Sequence, residues 1–279
     1  MADPSEGLGR AARGAPLEQA RIDTSKASIA RVYDYHLGGK DNYPADRTAG
    51  DAVIEAVPDV VLLARANRAF LRRAVRYLVN EAGIRQIIDI GSGLPTLGNV
   101  HEIAHEIDPS VRVVYVDNDP VVLAHGRALL ADNDTTTVIT ADLREPDPIF
   151  DHRDTRRFIN EDEPFAVLLA AVLHHLEDEE DPHGIVTSIR DRLPSGGYLL
   201  VANIHDTGEE RAREFERSFI EGGLGTGRCR SWADQRRFFD GLELVDPGLV
   251  SANEWRPDID MQPDTPAHPL YIGGVGRKP

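Results

Sequence analysis

A single cysteine, Cys229, stands in 279 residues. The chain can therefore form no internal disulfide and no paired-cysteine metal site, and a reducing compartment suits it. Apolar runs are short: the longest, Phe165 to Leu173, falls well below the roughly 20 residues a membrane helix needs. Met1 to Thr24 are polar and glycine-dotted and lack the apolar stretch of a secretory signal. The expected setting is the cytoplasm, with no membrane partner. Lysine occurs only at Lys26, Lys40 and Lys278, a bias toward arginine that carries no functional information. Positive charge as a whole is outnumbered: the net charge is −16, and between Ala141 and Asp181 thirteen acids face four arginines. A phosphate backbone would be repelled over that stretch, which points away from nucleic acid. No Pro/Ser/Gly-rich linker divides the middle, so one α/β domain with an N-terminal extension is expected.

What is present is concentrated around Asp89-Ile90-Gly91-Ser92-Gly93, which closes the apolar run Ile87-Ile88-Asp89-Ile90. A second run, Val111 to Val116, ends in Asp117. Glycines after a strand let main chain pass close to a ligand, and an acid closing the next strand can accept both hydroxyls of a ribose. A dinucleotide fingerprint requires a third glycine three positions after Gly93, where Thr96 stands. Pro95 also removes an amide where phosphates would sit. A nucleoside cofactor without phosphates fits better, and S-adenosylmethionine is one.

The sequence resembles the S-adenosylmethionine-dependent methyltransferases over most of its length. Asp89-x-Gly91-x-Gly93 matches their first motif, Asp117 their second, Asp142-Leu143 their third and Ala170-Ala171-Val172-Leu173-His174-His175 their fourth. Pro95 departs from the glycine often found there, implying a stiffer turn. More closely, the chain is similar to a bacterial family of S-adenosyl methyltransferases of undefined substrate. Ala30 to Tyr43, Ala64 to Leu71 and Gly241 to Gly248 carry that likeness. The resemblance implies fold and cofactor but no acceptor.

Residues 1–24 read as a flexible N-terminus and 25–82 as a helical extension or lid. The domain itself is expected at 83–279. Ser25 to Leu37 reads as a helix ended by Gly38-Gly39, and Ala64 to Asn80 as another, since Leu71, Val75 and Leu78 recur at helical spacing beside a stripe of Arg65, Arg68, Arg72 and Arg76. Thereafter strand and helix patterns alternate, as in crossover units of a doubly wound, Rossmann-like α/β sheet. Strands are expected near 86–90, 112–117, 136–140, 165–171 and 197–203, and helices near 97–107, 120–131, 183–193, 209–221 and 232–239. Two last strands near 242–245 and 270–275 flank a long loop. The resemblance implies that they form the reversed hairpin of a seven-stranded, mostly parallel sheet.

In such a site Gly91, Ser92 and Gly93 lie against the methionine moiety and Asp89 faces its ammonium end. Asp117 takes the ribose with Asn118 beside it, while Asp119-Pro120 reads as a helix N-cap. Asp142 and the Leu143 amide can meet the adenine, although capping is open to Asp142 as well. Ala171 lies beside the cofactor. His174 and His175 end the most apolar strand, where ligands of parallel sheets bind. Either can be a base if the acceptor must lose a proton, or they can simply close a turn. The acids after them read as a solvated turn, so no metal is expected. Tyr33, Tyr35, His36, Asn42 and Tyr43 form a dense polar and aromatic cluster, read either as a lid over cofactor and substrate or as packing for the helix. Oligomeric state is left open. The function expected is methyl transfer to a small molecule; a non-catalytic cofactor-binding regulator and an NAD-dependent oxidoreductase are the alternatives.

Overall fold

Apolar runs of five to seven residues, too short for buried helices, lie side by side as strands in the computed structural model. It describes residues 23–95, 98–129, 134–257 and 268–279. The expected flexible start up to residue 22, Thr96, and most of the loop expected between the last two strands lie outside the described residues. Five strands run parallel: β1 (Gln86–Ile90), β2 (Arg112–Asp117), β3 (Thr136–Thr140), β4 (Ala166–Ala170) and β5 (Tyr198–Ile204). Three antiparallel pieces follow: β6 (Glu243–Leu244), β7 (Val250–Ser251) and β8 (Tyr271–Arg277). The sheet order is β3-β2-β1-β4-β5-β8-β6, with β7 also paired to β8.

The expected hairpin is present in modified form. Leu244 pairs with Gly276 and Val250 with Gly273, so β6 and β7 share one side of β8 and the seventh position is filled by two short strands. Every residue of β1 and β5 is buried, as central strands covered on both faces require.

The crossovers place α4 (Val100–His105), α5 (Pro120–Leu129), α6 (Pro146–Asp151), α7 (Arg153–Phe158), α8 (Pro182–Arg192), α9 (Glu210–Glu221) and α10 (Trp232–Arg237) around the sheet. The short helices α6 and α7 were not expected. One face packs on Phe150, Phe158, Ile185 and Phe238, the other on the N-terminal extension.

That extension holds α1 (Ile29–His36), α2 (Pro44–Ala56) and α3 (Val60–Asn80). Helix α2 is an addition to the sequence reading. Pro44 opens it, and the Tyr43 amide donates to Asp46 Oδ2 at 2.7 Å, which satisfies an otherwise open amide of the first turn. Helix α3 begins four residues earlier than its periodicity indicated. Phe70, Ala74, Val75 and Leu78 of α3 are fully buried against the sheet, and Phe70 meets Trp255 edge-on at 5.4 Å. Extension and domain therefore share one core. Among the described residues no helix is long and apolar enough to cross a membrane.

Candidate functional site

The carboxyl ends of β1, β2 and β4 meet at a crevice where the strand order reverses, the place where open α/β sheets bind ligands. After β1 the chain turns sharply. Gly91 and Gly93 have φ of 74° and 67°, a left-handed backbone that a side chain would strain. A Cβ on Gly91 would also lie 2.5 Å from Val172 Cγ2, so the glycine turn packs directly against the segment after β4.

Asp117 organises this turn. Its Oδ2 accepts the Gly93 amide at 2.8 Å and its Oδ1 the Asp119 amide at 2.9 Å. An ionised carboxylate has about four acceptor positions, so it retains capacity for hydroxyls. Burial pushes its pKa up to about 6, against the pull of the amides. Asp89, 5 % exposed, is raised to about 7 by burial and by Asp117, with Arg68 opposing. Near neutral pH Asp89 is therefore about half ionised and Asp117 mostly ionised, so the pair holds negative charge in a buried setting. Beside them Ser92 Oγ and Thr140 Oγ1 are buried without a hydrogen-bond partner among the described residues. Thr140 pairs with Asp117 across β2 and β3 and was missed in the sequence, where a strand-ending threonine carries no signal.

Asp119 Oδ1 accepts the Val121 amide at 2.8 Å, as an N-cap does, and its Oδ2 takes the Ser28 hydroxyl. Asn118 lies between the two acids. Asp142 Oδ1 accepts the Arg144 amide at 2.9 Å and pairs with the Arg144 guanidinium at 3.1 Å, so the carboxylate stabilises its own turn. Leu143 beside it is buried.

Ala171 adopts a left-handed φ of 60°, rare without glycine and costing on the order of 1 kcal/mol. Its amide donates to Ala202 O at 2.9 Å, and the turn throws His174 and His175 back across the ends of β4 and β5. His174 Nδ1 bonds Asn203 Oδ1 at 2.8 Å. Asn203 Nδ2 in turn donates to Gln235 Oε1 at 3.2 Å, and Gln235 Nε2 to Ile204 O at 2.6 Å. Because Asn203 offers an oxygen, His174 carries its proton on Nδ1 and keeps a lone pair on Nε2. The two imidazoles lie 4.1 Å apart against Phe215 and Phe219. Burial lowers the His174 pKa to about 4, and burial with the neighbouring His174 lowers that of His175 well below the usual imidazole value, so both are neutral. Neither Asn203 nor Gln235 was flagged in the sequence, since their pairing exists only across β5 and α10.

Arg230, missed as well, fixes this segment. Its guanidinium donates to Leu173 O at 2.8 Å, Leu176 O at 2.7 Å and Asp178 Oδ1 at 3.0 Å.

The five residues Tyr33, Tyr35, His36, Asn42 and Tyr43 bond mostly to other residues of the extension. Tyr33 OH donates to Ala64 O at 3.1 Å, Tyr35 OH to Asp51 Oδ1 at 2.7 Å, and His36 Nε2 meets Gly50 O at 3.1 Å. Asn42 Nδ2 donates to Asp34 Oδ2 at 2.9 Å, and Tyr43 lies under the Arg31 guanidinium at 5.4 Å. The extension reaches the crevice through Ser28 on Asp119, and Ala30 packs on Leu94, Val121 and Val122. Among the described residues no group of three or more His, Cys, Asp or Glu is placed to hold a metal ion.

A putative methyltransferase from Thermobifida fusca YX shares 44 % identity, with a TM-score of 0.88 over 92 % of this chain and 96 % of its own. A DUF574 family protein from Streptomyces avermitilis MA-4680 shares 41 %, also at 0.88, over 93 % and 100 %. Among curated proteins none matches. The S-adenosyl methyltransferase family matches residues 16–279, nearly the whole chain, and with the glycine turn and the Asp117 carboxylate in place the protein belongs to that family.

Proposed function

We propose that Asp89, Gly91, Ser92, Gly93, Asp117, Asn118, Thr140, Asp142, Leu143 and Ala171 form the S-adenosylmethionine pocket, and that a small molecule is methylated beside His174. The observation that carries this reading is the Gly93 to Asp117 hydrogen bond, which ties the glycine turn to a buried carboxylate with acceptor positions to spare. When bound, the cofactor supplies an electrophilic methyl group on a sulfonium.

The chain's own part is alignment and exclusion of water. Asp117 accepts the ribose hydroxyls, Asp89 faces the ammonium end, and Ser92 Oγ gains the partner it lacks. Asp142, already engaged by Arg144, contributes to the adenine end through its remaining acceptor positions. Holding two reactants in line supplies roughly 7–11 kcal/mol of a displacement barrier, so no large acid-base contribution is required.

Where the acceptor must lose a proton, His174 Nε2 is the better placed of the two histidines, because Asn203 fixes its tautomer. Its low pKa makes it a weak base, suited to a proton that leaves as the methyl arrives. The extension covers the crevice. Asp34 accepts from both the Asp41 amide and Asn42, which fastens the turn around Gly38-Gly39 and leaves α1 and α2 to move as one body when the cover opens.

Calorimetry with S-adenosylhomocysteine tests the pocket: wild-type binding that Asp117→Ala removes is expected, and equal affinity in both proteins would refute it. Turnover of labelled S-adenosylmethionine against a metabolite extract tests transfer, and label staying with the donor throughout would favour a regulator.

A further inference from the structure

Two buried polar atoms lie where α3 packs on β8, the Phe70 ring meeting Gly273 there, and neither has a hydrogen-bond partner among the described residues. One is the hydroxyl of Tyr271, a residue 3 % exposed; the other is Oδ1 of Asn67, also 3 % exposed. Tyr33 links them. Its single hydroxyl proton goes to Ala64 O at 3.1 Å, so its lone pair must accept from Asn67 Nδ2 at 2.8 Å, which leaves the buried Asn67 Oδ1 turned away from Tyr33. Tyr33 also lies near enough to Tyr271 to add to the rise in its phenol pKa that burial causes.

The place is the carboxyl end of the sheet. Tyr271 pairs with Ile204 at the end of β5, and Asn67 precedes Arg68, whose charge acts on Asp89. A phenylalanine at 271 would fill the same space without an unpaired hydroxyl, and buried polar groups left unpaired cost stability.

We infer that Asn67 and Tyr271, braced by Tyr33, form the recognition wall for the methyl acceptor, and that this acceptor is a small uncharged molecule presenting a hydroxyl. The inference rests on the cofactor pocket proposed above for its location. The chemistry of the two atoms selects the group. Tyr271 donates and Asn67 Oδ1 accepts, so the guest must take one hydrogen bond and give one. A carboxylate has no proton for Asn67. An alkylamine is an ammonium at neutral pH and has no lone pair for Tyr271. A hydroxyl does both, and both phenols remain protonated to receive it.

Four probes of one size decide the matter: phenol, toluene, benzoate and benzylammonium, titrated by NMR into the protein with and without S-adenosylhomocysteine. Phenol is expected to bind more tightly than the other three. Tyr271→Phe should weaken phenol about fivefold to tenfold, leave toluene and S-adenosylhomocysteine unchanged, and leave Tm level or raised, because a hydroxyl without a protein partner is removed. A hydroxyl with a purely structural role gives the opposite pattern. A lower Tm with unchanged phenol binding overturns the inference, as does an absent preference for phenol. Failure to bind S-adenosylhomocysteine would strike the cofactor pocket instead, and the phenol titration of the unloaded protein would still judge the wall.

Discussion

Ser28 gives its hydroxyl proton to Asp119, joining the residue ahead of α1 to the acid that caps α5. Through this contact the N-terminal extension touches the loop that also carries Asp117, and the Ala30 side chain wedges against Leu94 just beyond the glycine turn. The extension and the loop after β2 are therefore coupled through a hydroxyl and a small apolar cluster.

Ser28→Ala should loosen the attachment of the extension. A hydrogen bond to a charged group contributes about 1.5–3 kcal/mol, less where it is partly solvated, so a fall in Tm of a few degrees is expected. Lys40 is exposed in the turn between α1 and α2 and reports the opening. Trypsin should cut after it faster in the variant; an unchanged cutting rate would show that Ser28 does not hold the extension down.

Asp117→Ala should cost at least tenfold in affinity for S-adenosylhomocysteine, because two charge-assisted acceptor positions disappear at once. The Gly93 amide also loses its partner, so the glycine turn should exchange its amide protons faster. Hydrogen exchange at Gly93 equal to that of the wild type would contradict this view of the turn.

Asp89 sets a pH dependence whose direction follows from its pKa. A carboxyl raised from 3.8 to about 7 on folding favours the folded state below the lower value, and that contribution is lost as pH rises through about 7. The free protein should lose stability from pH 5 to pH 8, and Asp89→Asn should flatten the fall. Ligand binding goes the other way, since an ammonium prefers the ionised form. Affinity for S-adenosylhomocysteine should rise between pH 6 and pH 8 with release of protons, read by calorimetry in buffers of different ionisation enthalpy. Proton uptake at pH 7 would reverse the assignment.

His174 should keep one neutral tautomer, protonated on Nδ1, from pH 5 upward. Nitrogen-15 shifts of the ring test this directly. Asn203→Leu removes the acceptor and should mix the tautomers. If His174 is the base, His174→Gln should slow methyl transfer on the order of 100-fold without altering cofactor affinity. Equal loss of affinity would make it a packing residue.

The parallel sheet was legible because its strands are short runs rich in β-branched and apolar residues without strict alternation, bounded by glycine, acid or proline, a pattern local enough to read without partners. Asp117 could be singled out for the same reason: it closes a strand. Helix α2 was not legible, since Pro44 to Ala56 carries Asp46, Arg47, Asp51 and Glu55 among its apolar residues and acquires its buried face by packing chiefly on α1 and α9, with α3 beside them. The roles of Asn67, Asn203, Arg230 and Tyr271 depend on partners up to 57 residues away or on the lack of one, and no spacing rule encodes either. Of the five residues read as lid candidates, three lie on α1 and two in the turn before α2, and their bonds run chiefly to other residues of the extension, partners that no spacing rule names.

Splitting the outermost position between β6 and β7 has an effect beyond the pocket. From Leu244 to Val250 the main chain folds back on itself, with the Gly248 amide on Val245 O at 2.8 Å, so this border offers no continuous row of free amides and carbonyls. A neighbouring molecule finds no template there for strand-by-strand growth, which protects a mostly apolar sheet from fibre-like association.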